Sequence, residues 1–428
     1  MEIVVGVLVL LALALAVKAA SARRARAGGS GPKPSPTPAR YEPPTFRVVA
    51  LGASRSGKTV FLSSMFHSLN FPAPGRSYYL ETDARQRVAL GNIYSSVSDP
   101  AQPWPPGTRT GETREFVFDC VGVDKDDAKQ TILRMSYLDY AGELLVEEQE
   151  AGSTALDELA EKINDAHALL AMIDGQRVLQ LLRKEPGGHD YFQRSLRPML
   201  GFMHGASCPI HLIVTKWDLL RDAGPTGADD KALLDAVIAA LLGYEHIKAL
   251  VYAQSAKRIV RLIPVSAVGS NFADLDGDGK VVKRSDGEMQ PTNVEVPLCA
   301  VLPDLFGQVE SSLDESMRSG VNADMLRQLR KDAGAVAASV LGRPAGAALR
   351  MFLQGALGKD VGLEASTLFI EWLARPSSGN QPLGQARTAM ERQLADLQRL
   401  RTDVLDDFRK TVLRLEAVLP NSQLSAAW

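Results

Sequence analysis

The feature that most constrains this chain is the segment VVALGASRSGKTVFLSSMF, which occupies residues 48–66. Its first part is a β-branched run of the kind that forms buried parallel strands. Its last part begins the pattern of a helix that extends from residue 60 to about residue 69. Between them lies GASRSGKT, which has the G-x-x-x-x-G-K-T spacing of a phosphate-binding loop. Strand, glycine-rich loop and helix in this order predict an α/β fold with a mostly parallel sheet.

Each residue type in this loop has a physical role in holding phosphate. Gly52 and Gly57 allow the backbone to curl around an anion with its N–H groups pointing inward. Lys58 would reach the β- and γ-phosphates, and Thr59 would give a hydroxyl ligand to Mg²⁺ at the start of the helix. The other residues predicted to line the phosphates are Ser54, Arg55, Ser56 and Val60. The alternative is a glycine-rich turn that binds no ligand. The predicted strand before the loop and helix after it favour a phosphate-binding loop over such a turn.

A second motif, DYAG at residues 139–142, directly follows the run TILRMSYL, which is predicted to be a strand. An Asp-x-x-Gly sequence after a strand can sense the terminal phosphate of a nucleotide. The Asp139 carboxylate would hold Mg²⁺ through water, and the backbone N–H of Gly142 would reach the γ-phosphate.

A third and a fourth motif point to the base. TKWD, which opens with Thr215, follows the run CPIHLIV, and Ser266 and Ala267 follow RLIPV. The Asp218 carboxylate could accept two hydrogen bonds from N1 and N2 of guanine, whereas adenine has no such pair of donors. Lys216 would lie along the base and brace the phosphate loop. A backbone N–H at the Ser-Ala pair would meet guanine O6.

GASRSGKT, DYAG, TKWD and SA, in this order and each after a predicted strand, resemble the first, third, fourth and fifth signature motifs of the P-loop GTPases. The resemblance covers roughly residues 46–305. It implies a domain that uses GTP, GDP and Mg²⁺, in which water attacks the γ-phosphate and Lys58 stabilises the developing charge. The chain is similar to GTPases of the bacterial double-GTPase type. Its layout is similar to that of the β subunit of the signal-recognition-particle receptor.

The resemblance also implies a threonine in the first switch that closes on Mg²⁺. The stretch WPPGTRTGETREFVF offers Thr108, Thr110 and Thr113, and Thr108 is our first choice as the metal ligand. In the second switch the catalytic positions are Gly142 and Glu143. Ras-like members have a water-orienting Gln in place of Glu143, and a carboxylate there is repelled by the γ-phosphate. The sequence therefore predicts a GTPase with slow intrinsic hydrolysis.

Two other functions stay open. Glu143 is compatible with a non-catalytic scaffold that holds its guanine nucleotide intact at a membrane. An ATP-using P-loop protein would require the TKWD match to be accidental. An arginine finger could compensate for Glu143, and Arg55, Arg109 and Arg114 are candidates. A solvated surface arginine is the simpler interpretation of each.

The N-terminal segment predicts a membrane anchor. Residues 3–17 contain no polar side chain, and residues 3–22 would make a helix of about 30 Å, the thickness of a bilayer core. A cleaved signal peptide is the alternative. The basic residues follow the apolar run and none precedes it, which keeps the following part in the cytoplasm. We therefore expect a single transmembrane helix at residues 1–22 and a basic, then Pro/Gly-rich linker at 23–45.

Three further patterns lie inside the predicted GTPase domain. An inserted helix is expected at residues 84–97, and residues 116–123 and 131–138 alternate as an antiparallel hairpin. DLDGDGKVVKRSD opens like a calcium-binding loop, but Ser285 stands where a bidentate Glu is needed. An acidic, glycine-rich hairpin turn is the simpler interpretation of that stretch.

Residues 306–428 are predicted to form an all-helical domain. The apolar residues 333–358 favour a pair of buried helices over a second membrane contact. A long helix is expected over residues 385–419, with Arg401 and Thr411 interrupting its apolar stripe. Packing against its own domain is the preferred interpretation, and pairing with a second chain would give a homodimer.

The net charge and the cysteine content limit the kinds of partner and of metal or redox site expected for this chain. The formal net charge of −2 provides no positive field for nucleic acid. The expected partners are a membrane and a protein effector or regulator on its cytoplasmic face. The three cysteines are far apart in sequence, which is typical of buried free thiols and not of a zinc site or a disulfide framework.

Overall fold

The computed structural model of this protein describes residues 43–106, 113–123, 129–141, 154–224, 229–255, 258–318, 368–369, 372 and 389–427. The strands in these residues are β1 Thr45–Gly52, β2 Tyr78–Glu81, β3 Thr113–Val123, β4 Lys129–Ala141, β5 Ala168–Ile173, β6 Ile210–Val214, β7 Val260–Pro264, β8 Ala273–Leu275 and β9 Val281–Lys283. One sheet has the strand order β2-β3-β4-β1-β5-β6-β7, and β8 and β9 form a separate hairpin.

The sheet is mostly parallel. β4, β1, β5, β6 and β7 run parallel to one another, while β3 is antiparallel to both β2 and β4. Every residue of β5 and β6 is buried. Because successive side chains of a strand point to opposite faces, both faces of the sheet are covered here. This confirms the predicted α/β fold. The apolar run of β5 carries no motif, and the sequence analysis did not identify it as a strand.

The same residues contain the helices that cover this sheet and extend from it. They are α1 Lys58–Leu69, α2 Ala84–Ser98, α3 Thr154–Asn164, α4 Gly175–Leu182, α5 Pro186–Tyr191, α6 Arg197–Met203, α7 Trp217–Ala223, α8 Asp230–Leu242, α9 Glu245–Ser255, α10 Val296–Cys299, α11 Val301–Arg318 and α12 Ala389–Val418. The inserted helix α2 confirms the prediction for residues 84–97. α1 begins at Lys58, two residues earlier than predicted, because the loop lysine already lies in the first turn.

The strands β3 and β4 form the predicted antiparallel hairpin, but it is longer at both ends. Pairing runs from Thr113 opposite Tyr140 to Val123 opposite Lys129, with an irregularity between Cys120 and Val121. Apolar and polar residues alternate clearly only where one face of the strand is buried. The predicted strands, residues 116–123 and 131–138, therefore stopped short of the ends seen in the structure. All three cysteines of the chain are buried, as predicted.

The helix α12 packs on the α/β body. Val404 and Phe408 are buried in the same apolar core as the strands, and the Phe408 ring meets the edge of Tyr78 with ring centroids 4.8 Å apart. This confirms packing against its own chain. Arg401 and Thr411, the polar residues predicted to interrupt the apolar stripe, are both buried, while Val418 at the end of the helix is 65% exposed. A domain boundary at residue 306 and the helices predicted at 333–358 stay predictions, since residues 319–367 lie outside the described part.

A buried cluster of charges ties α12 and α11 to the sheet. Arg261 of β7 donates to both carboxylate oxygens of Asp304 in α11, at 2.5 and 2.7 Å, and to Glu416 of α12 at 2.6 Å. His211 of β6 donates through Nε2 to Asp304 at 2.9 Å. Two strands and two helices therefore share one network in the core.

No single helix in the described residues is both long and apolar enough to cross a bilayer. The helices α8 and α9 together have the length and composition of a membrane span, but they are bent by 102° relative to each other. The predicted anchor, residues 1–22, and residues 23–42 of the predicted linker lie outside the described part.

Candidate functional site

A cleft of about 880 Å³ opens at the carboxyl ends of the parallel strands. The loop after β1 lines it with residues 53–57, continued by the start of α1. Single residues after β5, β6 and β7 face the same space, namely Asp174, Thr215, Lys216, Asp218 and Ala267. Since β4 and β5 flank β1 on opposite sides, this is the switch point at which open parallel sheets bind ligands.

The backbone of the glycine-rich loop has the shape expected of an anion cradle. Gly57 has φ 88° and Arg55 has φ 63°, so two residues of this short loop are left-handed. A Cβ at Gly52 would lie 2.8 Å from both the Cβ and the carbonyl oxygen of Met172, so only glycine fits where the loop leaves β1. Helix α1 has no side-chain cap and no acidic residue in its first turn. Its positive end is therefore presented to the cleft.

Lys58 is buried at the start of α1, and its ammonium group is held by the loop itself. Nζ donates to the carbonyl oxygen of Gly52 at 2.6 Å and to that of Ala53 at 3.1 Å. These bonds place a positive charge at the loop that the phosphates would occupy. Ser54, Arg55, Ser56, Thr59 and Val60 also line the cleft, and their predicted contacts with phosphate stay predictions.

Thr215 connects TKWD, the first of the two predicted base motifs, to the phosphate loop. Its hydroxyl lies 2.7 Å from the carbonyl oxygen of Ser56 and 3.1 Å from that of Ile173. The hydroxyl can therefore brace the loop against the end of β5. The bracing predicted for Lys216 stays a prediction, and the contact of Thr215 was not predicted from the sequence.

Asp218 is buried at the start of α7, with its carboxylate toward the cleft. Ser266 Oγ donates to Asp218 Oδ1 at 2.5 Å, and the N–H of Gly269 donates to Ser266 Oγ at 2.7 Å. Burial raises the pKa of Asp218 to about 6, although the hydrogen bond from Ser266 opposes the shift. A buried carboxylate with so few partners is well suited to a ligand that brings its own donors.

The sequence analysis missed Asp174. This residue caps α4 by accepting a hydrogen bond from the N–H of Gln176 at 3.0 Å. Its Oδ1 also lies 2.9 Å from Lys216 Nζ. Lys216 itself has a left-handed backbone, φ 52°, and the ion pair fixes its side chain across the cleft. The available signal was an Asp-Gly pair directly after the apolar run ALLAMI, at the carboxyl end of a strand.

Asp139 lies at the end of β4, opposite Ala50 of β1. It is 2% exposed and is not among the residues that line the cleft. Three other predicted site residues, Thr108, Gly142 and Glu143, lie outside the described part of the chain. The predicted roles of these four residues therefore stay predictions.

The stretch predicted to be an acidic hairpin turn is the hairpin β8–β9. Asp276 Oδ1 accepts the N–H groups of Asp278 and Lys280, at 2.9 and 2.8 Å, so it is used to build the turn. The tip of the hairpin lines the cleft, together with Trp104. Nothing in the sequence indicated that this insertion reaches the site, because the contact joins residues far apart in the chain.

No family model matches the chain, and no curated protein matches it by sequence. Similar solved structures include Sup35 complexed with GDP, 11% identical over 55% of this chain and 40% of that chain, with a TM-score of 0.28. They also include the Ski7 GTPase-like domain of S. cerevisiae bound to GTP, 14% identical over 58% and 48% of the two chains, with a TM-score of 0.29.

A third similar structure is Era of Aquifex aeolicus bound to GDP and aluminium fluoride, 14% identical over 62% of this chain and 66% of that chain, with a TM-score of 0.25. The chain thus spans less than half the length of the Sup35 and Ski7 chains that it matches.

Proposed function

We propose that this protein binds guanine nucleotides and hydrolyses GTP to GDP, changing conformation with the bound nucleotide. The observation that carries the proposal is that a phosphate loop and a buried carboxylate, Asp218, line the same cleft. The loop suits the phosphates, and the carboxylate suits the paired N–H donors of guanine. An adenine base would bring no pair of donors to this buried charge, and a lost charged hydrogen bond costs on the order of 1.5–3 kcal/mol.

The chain's own groups would hold each part of the nucleotide. The N–H groups of the loop and of the first turn of α1 bind the phosphates. Lys58 exchanges its bonds to the carbonyls of Gly52 and Ala53 for phosphate oxygens and stabilises the charge that develops as water attacks the γ-phosphate in line. Lys216, held by Asp174, lies along the base.

Thr59, which lines the cleft, would give a hydroxyl ligand to Mg²⁺, with Asp139 acting through water and Thr108 as the proposed further ligand. The described residues contain no group of three or more His, Cys, Asp or Glu side chains that could hold a metal. Phosphate oxygens and water would therefore complete the coordination, as is usual for this ion. Bound there, the ion would neutralise charge on the β- and γ-phosphates.

We further propose that residues 1–22 anchor the protein in a membrane with its body in the cytoplasm, where a protein effector or regulator reads the nucleotide state. The apolar length of this segment and the basic residues after it support the proposal. Dimerisation through the C-terminal helix has less support, since α12 already buries Val404 and Phe408 against its own body.

The test is to measure the affinity of the full-length protein for GDP, GTP and ATP in Mg²⁺, with Asp218→Asn beside it. Asp222→Asn is the matched control, because Asp222 lies one turn later on α7 and is exposed. We expect tight binding of guanine nucleotides, loss of that binding in Asp218→Asn with a gain for xanthine nucleotides, and no change in the control.

ATP binding as tight as GTP binding would contradict guanine specificity, as would an Asp218→Asn variant that still binds GDP normally. Single-turnover hydrolysis of bound GTP then separates a switch from a scaffold. A protein that keeps its GTP intact with and without a cytosolic extract would be the scaffold that Glu143 leaves open.

A further inference from the structure

The hairpin β8–β9 lines the same cleft as the phosphate loop. We call residues 273–283 the strap. Its tip residues Asp278, Gly279 and Lys280 line the cleft, as do Ala273 at its beginning and Val281 near its end. The strap follows the Ser266–Ala267 motif in the chain, so it is attached directly beside the predicted guanine site.

The strap is fixed at its root by a small apolar cluster. Phe272 is buried against Val97 of α2, Val268 and Ala273, and its ring lies 6.2 Å from the ring of Trp104. Trp104 Nε1 donates to the carbonyl oxygen of Val281 at 2.9 Å. The root is therefore joined to the inserted segment that leads from α2 toward the first switch.

The side chains of Lys283 and Gln176 join the strap to two different helices. Lys283 Nζ donates to the carbonyl oxygens of Ser96 and Asp99, at the end of α2, at 2.6 and 2.9 Å. Gln176 Nε2, in the first turn of α4, donates to the carbonyl oxygen of Gly279 at the tip at 2.5 Å. The tip itself is solvated: Lys280 and Asp278 are both more than 70% exposed.

We propose that the strap retains bound nucleotide, so that a nucleoside di- or triphosphate leaves the cleft only when the tip detaches from Gln176. This inference rests on the proposed function, because it takes the cleft to be the nucleotide site. The root of the strap is buried, whereas its tip is held to α4 by one exposed hydrogen bond. Because the tip has the weaker attachment, it should detach before the root does. Breaking one such bond changes an opening equilibrium by about three- to tenfold, which is the size of effect expected on nucleotide release.

The experiment measures the dissociation rate of a fluorescent GDP analogue from the full-length protein when excess GDP is added. Gln176→Ala removes the tip contact. Lys283→Met removes the bonds to the end of α2 and keeps an apolar chain beside the Trp104 ring, over which the Lys283 ammonium group lies. Gln308→Ala is the matched control, because Gln308 makes the same kind of bond, to the carbonyl oxygen of Ser207 at 3.1 Å, on α11. We expect release about three- to tenfold faster in the first two variants and unchanged in the control.

Unchanged release in both strap variants, with normal binding by the wild type, would overturn the strap and leave the proposed function intact. Failure of the wild type to bind GDP would overturn both. Melting of the nucleotide-free proteins is measured in parallel. Faster release that merely follows a lower melting temperature would also count against the strap, since general loosening would explain it.

Discussion

Ser266 Oγ donates a hydrogen bond of 2.5 Å to the carboxylate of Asp218, although the two residues are 48 positions apart. The bond joins the ends of β6 and β7 and orients the carboxylate at the cleft. It also shows why the two base motifs act as one unit. Substitution of either residue changes the surroundings of the other, so each prediction about guanine binding begins here.

Guanine binding should weaken in acid. Burial raises the pKa of Asp218 to about 6 in the nucleotide-free protein. Only the ionised carboxylate can accept both N–H donors of guanine, so GDP affinity should fall as the pH drops through this value, by up to about tenfold per pH unit below it. Calorimetric titrations between pH 7.5 and 5 would measure this. Affinity that stays constant over that range would contradict the assignment of Asp218.

The nucleotide-free protein should be more stable as Asp218→Asn. A folded-state pKa above the ordinary carboxyl value of 3.8 means that the ionised group costs stability at neutral pH, and that this cost disappears as the pH falls through about 6 toward 3.8. Asparagine can still accept the Ser266 bond but carries no charge. Denaturant unfolding at pH 7 should show a gain on the order of 1–3 kcal/mol. The gain should shrink at pH 4.

Thr215→Val should weaken nucleotide binding through the phosphate loop. The valine keeps the shape but loses the hydroxyl bonded to Ser56 and Ile173. We expect a loss of about 1–2 kcal/mol in stability and a clear rise in the dissociation constants of GDP and GTP. Thr215→Ser keeps the hydroxyl and should stay close to the wild type. Equal behaviour of the two variants would exclude the bracing role.

Gly175→Ala should displace α4 from the base site. A Cβ there would lie 1.9 Å from the carbonyl oxygen of Thr215, so the helix or the strand end must move. Overpacking of this kind costs about 1–3 kcal/mol, and guanine affinity should fall with it. Gly91→Ala is the control, since a Cβ at that helical position meets open space. That variant should be unchanged or stabilised by up to about 1 kcal/mol, as judged by thermal unfolding.

Asp304→Asn should destabilise the protein strongly, and more than Glu416→Gln in the same charge network. Burial would raise the pKa of Asp304, but the neighbouring Arg261 and the bond from His211 hold it below the usual carboxyl value. Its stabilisation is therefore present above the ordinary carboxyl pKa and is lost as the pH falls through the lowered one. Removing the charge leaves Arg261 buried with one charged partner fewer, at a cost of about 3–5 kcal/mol.

Glu416→Gln is the comparison for that network, because Glu416 is the more exposed of the two carboxylates that bind Arg261. Its loss should cost about 1 kcal/mol or less. Urea unfolding would measure both variants. A cost for Glu416→Gln as large as that for Asp304→Asn would mean that the contact with α12, and not the buried pair, carries the stability.

Sequence patterns were enough wherever short-range chemistry specifies the backbone. The strand, loop and helix around residues 48–66 follow from β-branched residues, two glycines and an apolar run, all within one another's reach. The hairpin of β3 and β4 and the inserted helix α2 were predicted for the same reason. The bounds were less certain, since strand ends and first helical turns lack a buried face to mark them.

The tertiary structure alone decided which of these pieces meet. Asp174 lies beside Lys216 because β5 and β6 are neighbours in the sheet, and strand order is not written in any local pattern. The strap reaches Gln176 across more than a hundred residues, and α12 joins the core through contacts with distant strands. The sequence therefore determined the chemistry of the phosphate loop and the base motifs. The walls of the cleft were decided by long-range packing, in which each contact depends on the placement of elements that the local residues do not specify.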